Sequence, residues 1–164
     1  MPSALHEIVD ALKKTPEMVS HLVEGLSDLQ LRLKNSADEF SALENVCHLR
    51  DIEVEGYSRR IARILTEKNP SLPDINGSRL AEEHNYNQQS LSHALEAFTV
   101  SRQNNIRTLQ GLTPDQTNRE GALEGFGTIS LHRLLEMMLE HDESHIGELE
   151  VICRRFARQR AEDD

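Results

Sequence analysis

The sequence predicts an all-α fold, a four-helix bundle with a kinked or broken first helix. Apolar residues recur at spacings of three and four almost throughout, and alternating runs rich in Val, Ile and Thr are missing. Four amphipathic segments result, and a bundle lets each bury its apolar stripe against the others. A chain of 164 residues can form one domain with a sizeable core and no covalent staple. Residues 1–158 are assigned to that domain, and 159–164 to a charged tail that frays.

Leu5, Ile8, Val9 and Leu12 begin the first helix. Thr15-Pro16 then supplies a cap and a first-turn proline, which kink or restart it before Gly25. Ser36-Ala-Asp-Glu39 reads as a capping box opening helix two, which runs to about Glu67 before the Asn69-Pro70…Pro73 loop. Ser78 caps helix three, which runs to about Gln110 and stops at Gly111, with Pro114 soon after. The polar, Gly-rich stretch to Gly127 is the longest loop. Helix four starts near Thr128 or Ser130 and extends to about Arg158. Neither an internal repeat nor a second domain is visible.

Charge and cysteine content narrow the function. With 28 acidic against 18 basic residues the net charge is −10, so the long-range field repels phosphate backbones and anionic membranes. Cys47 and Cys153 sit among apolar neighbours in helical segments, as free core cysteines do in a reducing compartment. Met1 to Lys14 has no apolar stretch of signal-peptide length, and no run approaches membrane-spanning length. The expectation is a cytoplasmic protein without nucleic-acid or membrane partners. Nucleotide, flavin and haem chemistry lack support, because no Gly-rich phosphate loop follows a strand.

Eight histidines remain to be explained. Among that many, a pair four residues apart arises by accident about 0.3 times, so spacing alone says little. The setting of His141 and His145 says more: the inward stripe of helix four reads Leu134, Met138, His141, His145, Leu149, Ile152, Phe156. Burying imidazoles without hydrogen bonds costs a few kcal/mol. One divalent ion would use both side chains at once, and carboxylate partners would satisfy them equally well. His132, His84, His93, His6 and His21 lack a second ligand at useful spacing on the same face.

His48 on helix two fits less tidily. The apolar face there centres on Leu43, Cys47, Val54, Tyr57, Ile61 and Leu65, whereas His48 shares a stripe with Glu44, Asp51, Glu55 and Arg59. That stripe either faces solvent or lines a polar cavity in which carboxylates orient a ligand histidine. Arg102 interrupts the helix-three stripe Leu91, Leu95, Phe98, Ile106, Leu109. It is either a snorkelling or salt-bridged arginine or the receptor for a bound anion. Glu148 shares the face of His141 and His145, as ligand, hydrogen-bond acceptor or general base.

Taken in order, several pieces resemble the DinB-like superfamily and its YfiT-like relatives over roughly residues 36 to 153. They are Glu44-Asn-Val-Cys-His48-Leu-Arg-Asp51, then Arg59, and Asn69-Pro-Ser-Leu. Tyr86…Phe98-x3-Arg102…Leu109 and His141-Asp-Glu-Ser-His145-Ile-Gly147 follow. The resemblance implies metal ligands at His48, His141 and His145. Two departures stand out: Phe40 lies where relatives often carry Trp, and Glu148 where many carry Gln.

Three imidazoles on one ion leave a coordination position open, the arrangement of catalytic sites. Zinc or nickel suits such ligands best. The resemblance further implies a metal-dependent enzyme, either a hydrolase or a low-molecular-weight-thiol S-transferase, acting on a small-molecule substrate. In that scheme the metal activates water or thiol, Arg59 or Arg102 neutralises an anionic group, and Glu148 accepts the proton. The competing expectation is a non-catalytic metal-binding or stress-related bundle acting through a partner. A homodimer is implied by the resemblance alone.

Overall fold

The first long helix shows how a proline is absorbed into a helix interior. The computed structural model describes residues 4–163, so residues 1–3 of the predicted domain and residue 164 of the predicted tail lie outside the described residues. Helix α1, Leu5–Val23, is continuous through Pro16, and the break predicted at Thr15-Pro16 does not occur. Thr15 caps nothing; its hydroxyl donates to Asp142 Oδ2 at 2.7 Å. Pro16 has no N–H for the Leu12 carbonyl four residues earlier, and that acceptor is taken instead by Arg102 Nη1 at 2.8 Å. A short helix, α2, Asp28–Arg32, follows.

Helix α3, Ala42–Asp51, begins on Ser41, and the predicted start at Ser36 is corrected to a turn in which Glu39 N–H bonds the Ser36 carbonyl. Both segments spell Ser-x-x-Glu, but only Ser41 stands directly before a buried run. Its hydroxyl accepts from Glu44 N–H at 3.1 Å, and Glu44 Oε2 accepts from Ser41 N–H at 2.8 Å, the reciprocal pair of a capping box. A π-helical segment, Ile52–Tyr57, leads without interruption into α4, Ser58–Thr66. Its i→i+5 turns are wider than α turns and shift the phase of everything beyond. Val54, predicted to be inward, is therefore 40% exposed, while Glu53 is only 1% exposed.

The single helix predicted from Ser78 to Gln110 is two. α5, Gly77–Glu83, is capped by Asn76, and α6, Leu91–Gln110, by Ser90. Between them Asn85 adopts a left-handed conformation (φ 48°), and a 3-10 turn, Tyr86–Gln88, inserts the buried Tyr86 ring into the core. α6 ends at Gly111 as predicted.

The predicted long loop is also structured. It holds α7, Pro114–Thr117, and two strands, which with β1, Ser71–Leu72, form a small sheet of order β1-β2-β3. β2, Glu120–Leu123, runs parallel to β1 and antiparallel to β3, Gly127–Ser130. These strands are too short to show alternation, and one of β2's two inward positions is Gly121, where a side chain would collide with Leu72. The last helix, α8, Leu131–Asp163, continues through residues 159–163, which the sequence assigned to a frayed tail.

The long helices α1, α3–α4, α6 and α8 make the four-helix bundle, and their core falls into two apolar clusters. One is built on Ile8, Leu12, Ile52, Ile61, Ile106, Leu134 and Met138; the other on Val19, Val46, Leu49, Phe98, Leu149 and Phe156. On α1, α6 and α8 the boundary between them is a polar residue, Thr15, Arg102 and Asp142, and Glu53 of the π-helical segment is buried against Arg102. These four meet in a buried network at the waist of the bundle. Among the described residues no helix is long and apolar enough to cross a membrane.

Candidate metal centre

At the same level as that network, α3 and α8 bring three imidazoles together. His48 comes from α3, and His141 and His145 lie one turn apart on α8, so that pair needs only ordinary helical spacing. One nitrogen from each ring lies within 4.8 Å of the other two. His48 Nε2 and His141 Nε2 are 3.0 Å apart, close to the roughly 3.3 Å that two nitrogens adopt on a tetrahedral ion at 2.0–2.1 Å.

The third ring is oriented by α3. Asn45 Nδ2 donates to the Ser41 carbonyl at 3.1 Å, which leaves Asn45 Oδ1 as acceptor for His145 Nδ1 at 2.7 Å. His145 thus carries its proton on Nδ1 and keeps a lone pair on Nε2 for a ligand. Asn45 was not singled out from the sequence, although it stands three residues before His48 within the quoted motif. Carboxylates do not orient His48: its Nδ1 is buried with no hydrogen-bond partner among the described residues. Glu44 is engaged in capping and Asp51 in a separate cluster.

Burial, reinforced by the neighbouring His145, lowers the pKa of His48 to about 4. Burial, with the charges of His145 and His48 next, lowers that of His141 to about 3. Both rings are therefore neutral near pH 7, the state in which imidazole binds a metal. Phe40 packs over the group, with ring centroids 5.2 Å from His48 and 6.5 Å from His145, and Tyr57 borders His141 at 6.0 Å. The donor set and its protonation state fit a divalent ion.

The remaining predicted residues separate. Glu148 stays with the triad, its Oε2 3.4 Å from His145 Nδ1, and that contact lowers its pKa. Arg59 is exposed, and Arg60 takes the inward position because the π-helical segment has shifted the phase. Arg60 Nη2 donates to the Pro73 carbonyl at 2.9 Å, and its guanidinium lies 5.8 Å from the centre of the Tyr57 ring. Arg102 is not available to a substrate. Nε and Nη2 bind Glu53, Nη1 and Nη2 bind Asp142, and Nη1 binds Leu12, so all its N–H groups are used.

A second cluster, Asp51, Glu55 and His84, also brings ligand-type atoms within 4.8 Å. Asp51 is already engaged: Oδ1 accepts from Arg50 Nε, and Oδ2 accepts from the Tyr86 hydroxyl while lying 2.7 Å from His84 Nδ1. It latches the Tyr86 turn onto α3.

A helical bundle with three converging histidines at its waist defines a class of metal-binding fold. The model of the DinB superfamily matches residues 11–149, and the chain belongs to that superfamily. A search of curated proteins finds no significant match. Among solved structures the chain is similar to YfiT from Bacillus subtilis, described as a probable metal-dependent hydrolase with an unusual four-helix bundle topology. The match has a TM-score of 0.86 at 21% identity and covers 93% of this chain and 87% of that one. At that identity the likeness speaks for the fold.

Proposed function

We propose that the chain is a metal-dependent enzyme acting on small molecules, with a divalent ion held by His48, His141 and His145. The observation that carries this is the convergence of three imidazoles, two of them held neutral by burial with their Nε2 atoms 3.0 Å apart and the third ring fixed by Asn45. Zinc or nickel suits three imidazole ligands, and such an ion, when bound, supplies Lewis acidity toward water or a thiol. The reaction class is hydrolysis or transfer to a low-molecular-weight thiol; the description of YfiT as a hydrolase supports the first.

The chain's own residues supply the rest. Glu148 is ionised near neutral pH, because contact with His145 holds its carboxyl low, and it accepts a proton from the nucleophile. One of its oxygens, Oε2, lies 3.4 Å from His145 Nδ1, beside the triad. Phe40 and Tyr57 border the triad on either side. Neither Arg59, which is exposed, nor Arg102, whose donors are consumed, takes the anion-neutralising role.

The test is elemental analysis of untagged protein, comparing wild type with His48→Ala and His145→Ala. Near-stoichiometric zinc or nickel that disappears in both variants is the expected result and leads directly to hydrolysis and thiol-transfer screens. Wild-type protein that takes up no metal after reconstitution near neutral pH returns the histidines to the core.

A further inference from the structure

Beside His145 opens a cleft of about 680 Å³, bounded by α8 and by the chain between α2 and α3. Its apolar walls include Phe40, Val151 and Ile152, and Glu148 stands next to the triad. Val151 is 60% exposed and extends the apolar wall to the mouth of the cleft. At the far end lies Arg155, on the same stripe of α8 as His145 and Glu148. His145 and Arg155 are ten residues apart, about 15 Å along the helix axis at 1.5 Å per residue.

Arg155 is incompletely used. Nη1 donates to Asn35 Oδ1 at 3.0 Å, the guanidinium carbon lies 4.8 Å from the centre of the Phe156 ring, and Nη2 is shielded with no hydrogen-bond partner among the described residues. A shielded donor left unpaired is costly, so any acceptor offered in the cleft stabilises a rotated side chain in which that donor is satisfied. The hydrogen bond to Asn35 and the contact with the Phe156 ring are what oppose the rotation. A planar guanidinium matches the two oxygens of a carboxylate.

We propose that this cleft is a binding subsite for a small molecule bearing one carboxylate on an apolar body, with Arg155 receiving the carboxylate and the reacting end directed toward His145. The subsite deepens the metal-dependent reading and rests on it for the identity of that reacting end. Asp38 and Glu39 also line the cleft, and the net charge of the chain is −10. Both features oppose a second negative charge, which is why a monocarboxylate is favoured over a phosphate dianion.

Two-dimensional ¹H–¹⁵N NMR titrations of the metal-free protein with hexanoate, hexanol and hexylamine test the subsite directly. Hexanoate should perturb the Arg155 side-chain N–H and the Val151 amide, and bind at least about tenfold more tightly than the other two probes. Arg155→Gln should remove that preference, and Arg155→Lys, which keeps the charge without the fork, should retain part of it and serves if the first variant folds poorly. Equal binding of the three probes, no binding of any, or hexanoate binding indifferent to both substitutions overturns the proposal. Repeating the titrations with zinc-loaded protein separates the two levels. Binding seen only with metal and independent of Arg155 makes the carboxylate a metal ligand and removes the subsite. Arg155-dependent binding in a chain that takes up no metal keeps the subsite and removes the enzyme reading.

Discussion

Arg102 donates to the main-chain carbonyl of Leu12, the acceptor that Pro16 leaves open on α1. Two features that looked like separate violations, a proline inside a helix and a cation inside a core, thus complete each other. The remaining Arg102 donors tie α6 to Glu53 on the π-helical segment and to Asp142 on α8. Asp142 directly follows His141, so the network fixes the register at which α8 presents its two histidines.

Replacing Arg102 with Met should be among the most damaging single changes in the chain. It leaves Glu53 and Asp142 buried without a cation, and breaking a buried pair in this way costs about 3–5 kcal/mol. Neutralising both carboxylates in the same background, as Glu53→Gln and Asp142→Asn, should recover part of the loss. Urea denaturation of the three proteins checks this, and a loss below about 1 kcal/mol for Arg102→Met would contradict the role given to the network.

Asn45→Ala should weaken metal binding by about 10–100-fold while changing the fold little. The substitution removes the acceptor that holds the His145 proton on Nδ1, and with it the preference for a free Nε2. Competition with a chelator of known zinc affinity measures the effect. Unchanged affinity would mean that Glu148, 3.4 Å from the same nitrogen, fixes the tautomer without Asn45.

The metal-free protein should lose stability as the pH falls below neutrality. His48 and His141 have pKa values lowered to about 4 and about 3 in the folded chain, chiefly by burial. In the unfolded chain a histidine titrates near about 6.5, so on acidification the unfolded state takes up protons that the native state refuses. The stabilisation is complete above about pH 6.5 and declines as the pH falls toward the folded values. Urea midpoints at about pH 7.5 and about pH 5.5 sample the upper part of this window while avoiding the carboxylates. His141→Leu should flatten the dependence; a midpoint that does not move in the wild type contradicts neutral burial.

Much of this arrangement is legible in the sequence, and the gaps have physical causes. The inward face of α8 follows a 3.6-residue period, so His141, His145 and Glu148 fall together without further information. Periodicity fails on α3 and α4 because the π-helical segment inserts a phase shift that no single residue announces. Val54 and Glu53 exchange environments, and Arg60 replaces Arg59 on the inside. For the same reason the orientation of His48 rested on the family resemblance. The start of α3 was ambiguous because two Ser-x-x-Glu segments lie five residues apart, and local chemistry does not rank them. Asn85 was a legible terminator, since asparagine tolerates the left-handed conformation that ends helices.

Gly77 offers a test in which sterics, and not charge, acts on the metal centre. A Cβ built at this first residue of α5 would lie 2.5 Å from His48 Cε1 and 2.9 Å from His48 Nδ1, closer than any side-chain atom tolerates. The backbone at Gly77 is not left-handed, so alanine is conformationally acceptable and the conflict falls on the His48 ring. With α5 short and free of buried residues, the helix can move aside at modest cost to the fold. Gly77→Ala should therefore lower the melting temperature of the metal-free protein only slightly while reducing zinc affinity at least about tenfold, because a site misplaced by about 1 Å loses its ligand geometry. Chelator competition and thermal denaturation on the same preparation read the two effects separately. Equal metal affinity in variant and wild type would show that His48 reaches the centre from a different rotamer, and that the approach of α5 is incidental to the triad.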